Sequence, residues 1–77
     1  MLLQISRDLP APIPAQIVAG IRDAVATGAL SPNDAIPSTR ALAQQLGVSR
    51  GSVVTAYDQL EGEGYLLSRQ GAPTRIH

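Results

Sequence analysis

Apolar residues recur along most of this chain with the period of a helix, then change to every second position near the C-terminus. Ile13, Ile17, Ile21 and Val25 repeat at helical spacing, with Val18 and Ala24 widening the stripe. The pattern predicts an amphipathic helix from Ile13 or Pro14 to Thr27. Pro10, Pro12 and Pro14 forbid an earlier start, and Gly28 closes it. Leu42 and Leu46, with Ala43 beside them, mark a short second helix from Thr39 to Leu46, N-capped by the Ser38 hydroxyl and stopped by Gly47. Ser49 then caps a third helix, expected over Arg50–Glu63 before Gly64, whose Val53, Ala56, Tyr57 and Leu60 form one core-directed stripe. After Gly64 the alternation changes, and Tyr65–Arg69 and Thr74–Ile76 are strand candidates around Gln70-Gly71-Ala72-Pro73. A hairpin alone is marginal, so it is expected to pair with a very short strand at Ala35–Ile36, beyond the turn Ala29–Asp34.

These elements predict a mainly α fold with a small β-hairpin: three helices plus a short antiparallel sheet. The turn Gly47–Ser49 has the spacing of a helix-turn-helix, and a hairpin after its second helix is a wing, so the fold class is a winged helix-turn-helix. The domain is placed at residues 13–77. Residues 1–12, where Leu3 and Ile5 alternate with Gln4 and Ser6, are expected to be a leader rather than a functional arm.

The outward positions carry the candidate chemistry. At the start of the third helix these are Ser49, Arg50, Gly51, Ser52 and Thr55, all small, polar or cationic. A merely solvated helix usually carries Glu and Lys there. A helix in a major groove needs small side chains for close approach, hydroxyls for phosphates and base edges, and an arginine for guanine or phosphate. The wing tip, Arg69-Gln70-Gly71, is cationic and slim enough to meet a backbone or a minor groove. The plain alternative is a helical hairpin with a polar face.

Charge sharpens this picture rather than supplying it. The 77 residues carry a formal net charge of zero, and 44% of them are hydrophobic, enough for one small core. A neutral domain lacks the usual basic footprint of a DNA binder. The arginines, however, are unevenly placed: Arg40 and Arg50 lie in an acid-free segment from Ala35 to Tyr57, and Arg69 and Arg75 in another after Gly64. Arg7 and Arg22 each adjoin an aspartate. There are no cysteines and a single histidine, the terminal His77, so neither a disulfide framework nor a metal site is expected. No stretch approaches a membrane span and no signal-like leader is present, so a cytoplasmic protein is expected. No paired carboxylates, nucleophilic triad or phosphate loop stands out, and the chain is not expected to be an enzyme.

Gly28-Ala29-Leu30-Ser31-Pro32, then Ile36-Pro37-Ser38-Thr39-Arg40-Ala41-Leu42-Ala43, Leu46-Gly47-Val48-Ser49-Arg50 and Leu60-Glu61-Gly62-Glu63-Gly64-Tyr65-Leu66 together resemble the winged-helix DNA-binding domain of GntR-family bacterial transcription regulators. The likeness runs without gaps from about Ile13 to Ile76. Val53–Leu60 followed by Glu63-Gly64-Tyr65-Leu66 resembles the MocR subgroup in particular. In that subgroup this domain is joined to a large domain similar to a pyridoxal-phosphate aminotransferase.

The resemblance implies a DNA contact for Arg40, in the Pro-Ser-x-Arg motif, and for Arg50 after the turn. It implies phosphate or base contacts for Ser49 and Ser52, and a wing-tip role for Gly71. Asn33 departs from the usual glycine after Pro32, Val54 replaces an arginine that contacts DNA in several relatives, and Gln70 and Pro73 alter the wing motif. The expected interface is therefore Ser38, Thr39, Arg40, Ser49, Arg50, Gly51, Ser52, Thr55, Arg69, Gln70 and Gly71, facing a double-stranded operator. The neutral charge implies a modest non-specific affinity for a single copy, which points to a dimer or a larger parent chain. A homodimer is therefore expected in the full-length protein, and the resemblance further implies an effector domain outside this chain. Pyridoxal phosphate would belong to that further domain, because the chain has no lysine with which to form its Schiff base. The competing class is a winged helix used only to pair with another protein.

Overall fold

In the computed structural model, which describes residues 3–77, the third helix packs against both other helices and the first strand, and the second strand joins through the first. Met1 and Leu2, the start of the expected leader, lie outside the described residues. Helix α1 spans Ile13–Thr27, α2 Thr39–Leu46 and α3 Arg50–Gly62, followed by strands β1 (Leu66–Leu67) and β2 (Arg75–Ile76). Helix α3 contacts α1, α2 and β1, and its stripe of Val53, Ala56, Tyr57 and Leu60 is buried. Ile17, Val18 and Ile21 of α1, Leu42 and Ala43 of α2, and Ile36, Leu66 and Ile76 complete one core. Leu46 and Val48 pack on it half-buried, so Val48 fills the angle between α2 and α3.

The helix ends follow from their local residues. Ser38 Oγ accepts from the Ala41 amide at 3.1 Å, and Ser49 Oγ from the Ser52 amide at 3.2 Å. Helix α1 has no such cap; it starts instead with Pro14 in its first turn, where a missing N–H leaves nothing unsatisfied. Helix α3 ends one residue before the expected Glu63, which is its C-cap. Gly64, at φ 85°, then turns the chain so that Tyr65 N–H reaches the Leu60 carbonyl at 2.9 Å and Gly64 N–H the Glu61 carbonyl at 3.0 Å.

The sheet is smaller than the alternation predicts. Leu66 pairs with Ile76 and Leu67 with Arg75, antiparallel, and at the open end His77 N–H donates to the Tyr65 carbonyl at 3.0 Å. The expected strand at Ala35–Ile36 is a single bridge, Ala35 to Arg75, reinforced by Ile36 N–H to the Thr74 carbonyl and Ile76 N–H to the Asp34 carbonyl, both at 2.9 Å. The alternating period marks which residues face the core. It does not set the length of the ladder, which ends where Gly71 and Pro73 bend the chain. Asn33, at φ 73°, occupies the left-handed region that asparagine tolerates better than most residues, so its departure from glycine costs only a turn.

The N-terminal segment lies on the domain. Leu3 and Ile5 pack on the core, and Leu3 Cδ2 comes within 2.8 Å of where a Cβ on Gly20 would sit. Gln16, 9% exposed, receives the Ser6 amide at 2.8 Å and donates to the carbonyls of Ser6 and Ala11 at 2.8 and 2.9 Å. A buried amide satisfied on both its oxygen and its nitrogen fixes the path of the segment it binds.

Candidate nucleic-acid interface

Two N-capping serines and a buried tyrosine set the geometry where α2 and α3 begin. Tyr57 is 4% exposed and donates its hydroxyl to the Pro37 carbonyl at 2.7 Å. This bond ties the segment leading into α2 to the middle of α3, so Ser38, Thr39 and Arg40 are positioned by the core and not by a free loop. Burial pushes the Tyr57 phenol up from its ordinary range, which keeps it protonated and donating further into the alkaline range.

Above this anchor, Arg50 Nε donates to Thr39 Oγ1 at 3.2 Å, bridging the first turn of α3 to the first turn of α2. The bond uses one of five guanidinium N–H groups and leaves the planar fork available to a ligand. Ser49 and Ser52 lie 2.9 Å apart through their hydroxyl oxygens. In capping, Ser38 and Ser49 accept with an oxygen lone pair, so each keeps its hydroxyl proton. Ser38 can offer its own to an anion, and in the Ser49–Ser52 pair one hydroxyl donates to the other and leaves the second proton free. Arg40 is exposed, and its side chain forms no hydrogen bond or salt bridge to another described residue. Gly51 and Thr55 are exposed on the same helix, and a Cβ added to Gly51 would meet nothing within 4 Å. Glycine at an open helical position lowers helix stability relative to alanine, so nothing within the chain itself explains it.

The wing tip is built separately. Ala72 N–H bonds the Arg69 carbonyl at 3.1 Å, closing a four-residue turn with Gly71 at φ 77°. Positive φ at the third position is the signature of a type II turn. Arg69, Gln70 and Gly71 are exposed, and no hydrogen bond or salt bridge joins them to the α2–α3 cluster among the described residues. Arg75 is half-buried and held by the Asn33 carbonyl at 2.9 Å, so it braces the wing base. The eleven expected positions thus fall into two groups: eight at the start of α2 and α3, and three at the tip.

Electrostatics separates this surface from the opposite one. Arg22 of α1 pairs with Glu63 at the end of α3, not with its neighbour Asp23, and it is the only salt bridge among the described residues. Hydrogen bonding from Arg22, and then from Gln59, holds the Glu63 carboxyl below its usual range. Three of the six acids, Asp58, Glu61 and Glu63, lie toward the C-terminal end of α3, while Arg40 and Arg50 are exposed at the other end without a carboxylate partner among the described residues. Arg7 does not pair with Asp8 either; its Nη2 donates to the Gly47 carbonyl at 2.7 Å. Each arginine adjoins an aspartate in the sequence, yet the folded chain gives each an acceptor about forty residues away.

No group of three or more potential metal ligands occurs among the described residues, and none of the helices is long and apolar enough to cross a membrane. With no lysine in the chain, the residues present do not fit a pyridoxal-phosphate site.

A family model described as "Bacterial regulatory proteins, gntR family" matches residues 14–76. The pyridoxine biosynthesis transcriptional regulator PdxR of Corynebacterium glutamicum is 59% identical over 68 residues, covering 88% of this chain and 15% of that protein. The probable rhizopine catabolism regulatory protein MocR of Rhizobium meliloti is 41% identical over 75 residues, covering 97% of this chain and 15% of its own length. Among solved structures, AraR(DBD) in complex with operator ORX1 superposes with a TM-score of 0.85 at 30% identity, over 100% of this chain and 96% of that one.

Proposed function

The chain belongs to the gntR family of bacterial regulatory proteins, with PdxR and MocR among its relatives, and on that premise we propose that it is the sequence-specific DNA-binding part of a transcription regulator. Helix α3 enters the major groove with Arg50 as principal reader of a base or phosphate. Arg40 anchors the backbone, and Ser38, Thr39, Ser49, Ser52 and Thr55 make polar contacts. Gly51 admits the duplex closely, and Arg69, Gln70 and Gly71 touch it from the wing. The observation that carries this reading is the outward, acid-free cluster where α2 and α3 begin, with Arg50 pre-set against Thr39. Val54, 36% exposed and one turn beyond Arg50, offers methyl groups of the kind that pack on thymine.

The chain spans 15% of the length of PdxR and of MocR, so sensing an effector is assigned to sequence beyond these residues, including any pyridoxal-phosphate domain. Residues 13–77 act as a non-enzymatic cytoplasmic module that binds an operator as a homodimer of the whole regulator. Regulation follows from occupying the operator, which blocks or recruits polymerase. Fluorescence anisotropy with a labelled duplex tests the reading. Binding should weaken linearly on a log–log plot against salt, because each neutralised phosphate releases counterions. Arg50→Ala should cost about 1–3 kcal/mol of binding with the fold unchanged.

A further inference from the structure

Arg7 takes a partner far from its neighbours in sequence. It adjoins Asp8, yet its Nη2 reaches forty residues along the chain to the Gly47 carbonyl at 2.7 Å. Gly47 ends α2, and Ser49, the N-cap of α3, follows two residues later. A cation from the N-terminal segment is therefore delivered to the helix-turn-helix turn, beside the first turn of α3.

The delivery is firm. Gln16 clamps the segment at Ser6 and Ala11, and Leu3 and Ile5 seat it on the core. Arg7 itself is exposed and has no carboxylate within ion-pairing distance among the described residues. Its bond to Gly47 occupies one N–H and leaves the others outward. A charge fixed in advance loses little side-chain entropy when it meets an anion.

We infer that Arg7 is a phosphate-binding residue of the DNA interface, docking a backbone phosphate at the edge of the groove that α3 enters. Phosphate, not a base, is its ligand because Arg7 sits at the turn and not on the groove-facing helix surface. The inference rests on the DNA-binding reading above. The segment before α1 is then part of the interface and not only a leader.

The test compares the 77-residue chain with Arg7→Gln and Arg7→Lys by anisotropy, using one duplex between about 50 and about 200 mM salt. Losing one phosphate contact should lower the log–log slope by about 0.9 in Arg7→Gln, so its affinity deficit should narrow about threefold across that range. Arg7→Lys, which keeps the charge, should retain the parent slope. A parent slope in Arg7→Gln, even with a lowered melting temperature, would overturn the inference and leave Arg7 as a strap. Absence of salt-dependent binding in the parent chain would instead overturn the DNA reading itself. Should Arg7→Gln fail to fold, the Arg7 Nε–H resonance of the parent decides: movement on adding duplex, reversed by salt, supports the contact, and no movement contradicts it.

Discussion

The helix-turn-helix and the wing carry the same kind of polar, cationic tip, yet they are held in different ways. Helices α2 and α3 are fixed by two serine caps, a buried tyrosine bond and a core stripe with Leu42, Val53, Ala56 and Leu60 fully buried. The wing depends on two residue pairs, one bridge and a glycine turn, and its Leu67 is 42% exposed. A reader that must discriminate bases needs its donors fixed to within fractions of an ångström, and the first unit supplies that. A hairpin that touches a backbone tolerates more freedom.

The contrast can be broken most severely in the core. Leu60→Ala should destabilise the domain by about 2–5 kcal/mol in chemical denaturation, because Leu60 is fully buried on the helix that packs against α1, α2 and β1. Leu67→Ala, on the exposed side of β1, should cost far less. Equal losses would mean that the wing is as well held as the helices.

Tyr57→Phe should follow, at about 1–3 kcal/mol, because it leaves the Pro37 carbonyl without its donor. The same group adds a pH dependence on the alkaline side. Its folded pKa is raised above the ordinary value of 10.0, so its contribution is whole below that pH and falls as pH rises beyond it. A thermal melting series across the alkaline range should show an earlier decline in the parent than in Tyr57→Phe.

Gly51→Ala sharpens the distinction between holding and reading. Alanine at an open helical site should raise stability by up to about 1 kcal/mol while leaving DNA binding weaker. Stability and binding that rise together would remove close approach as the reason for this glycine. Arg69→Ala should weaken binding to all duplexes alike and shift the salt slope by about one unit, without the loss of base preference expected for Arg50→Ala.

The smallest effect belongs to the Arg22–Glu63 clamp between α1 and α3. Its carboxyl is held below the usual range, so its contribution is present at neutral pH and is lost as pH falls through that lowered value. Glu63→Gln should flatten the acid side of the melting profile and leave DNA affinity unchanged.

The legible parts of this molecule are those with local causes. Ser38, Gly47 and Ser49 act on amides within one or two turns, so the bounds of α2 and the start of α3 could be read from neighbouring residues. The stripe on α3 was readable because burial repeats with the helix. The strands were overextended because alternation reports facing, whereas ladder length depends on where Gly71 and Pro73 bend the chain. The Ala35 bridge was placed correctly but is shorter than a strand. Least legible were the long-range polar contacts. Nothing beside Arg7 points to Gly47, nothing beside Arg22 points to Glu63, and Tyr57 and Pro37 meet only in the folded chain. The Arg50–Thr39 bond belongs to the same class: the sequence named both residues without showing that they touch.

The central claim is that the start of α2 and α3 is the DNA face. A two-dimensional amide NMR titration of the domain with random duplex, at low and then at higher salt, addresses it directly. Shifts at Arg40, at Ser49–Ser52 and at Gly71 that fade as salt rises are expected. Shifts absent at low salt, or confined to the exposed side of α1, would contradict it.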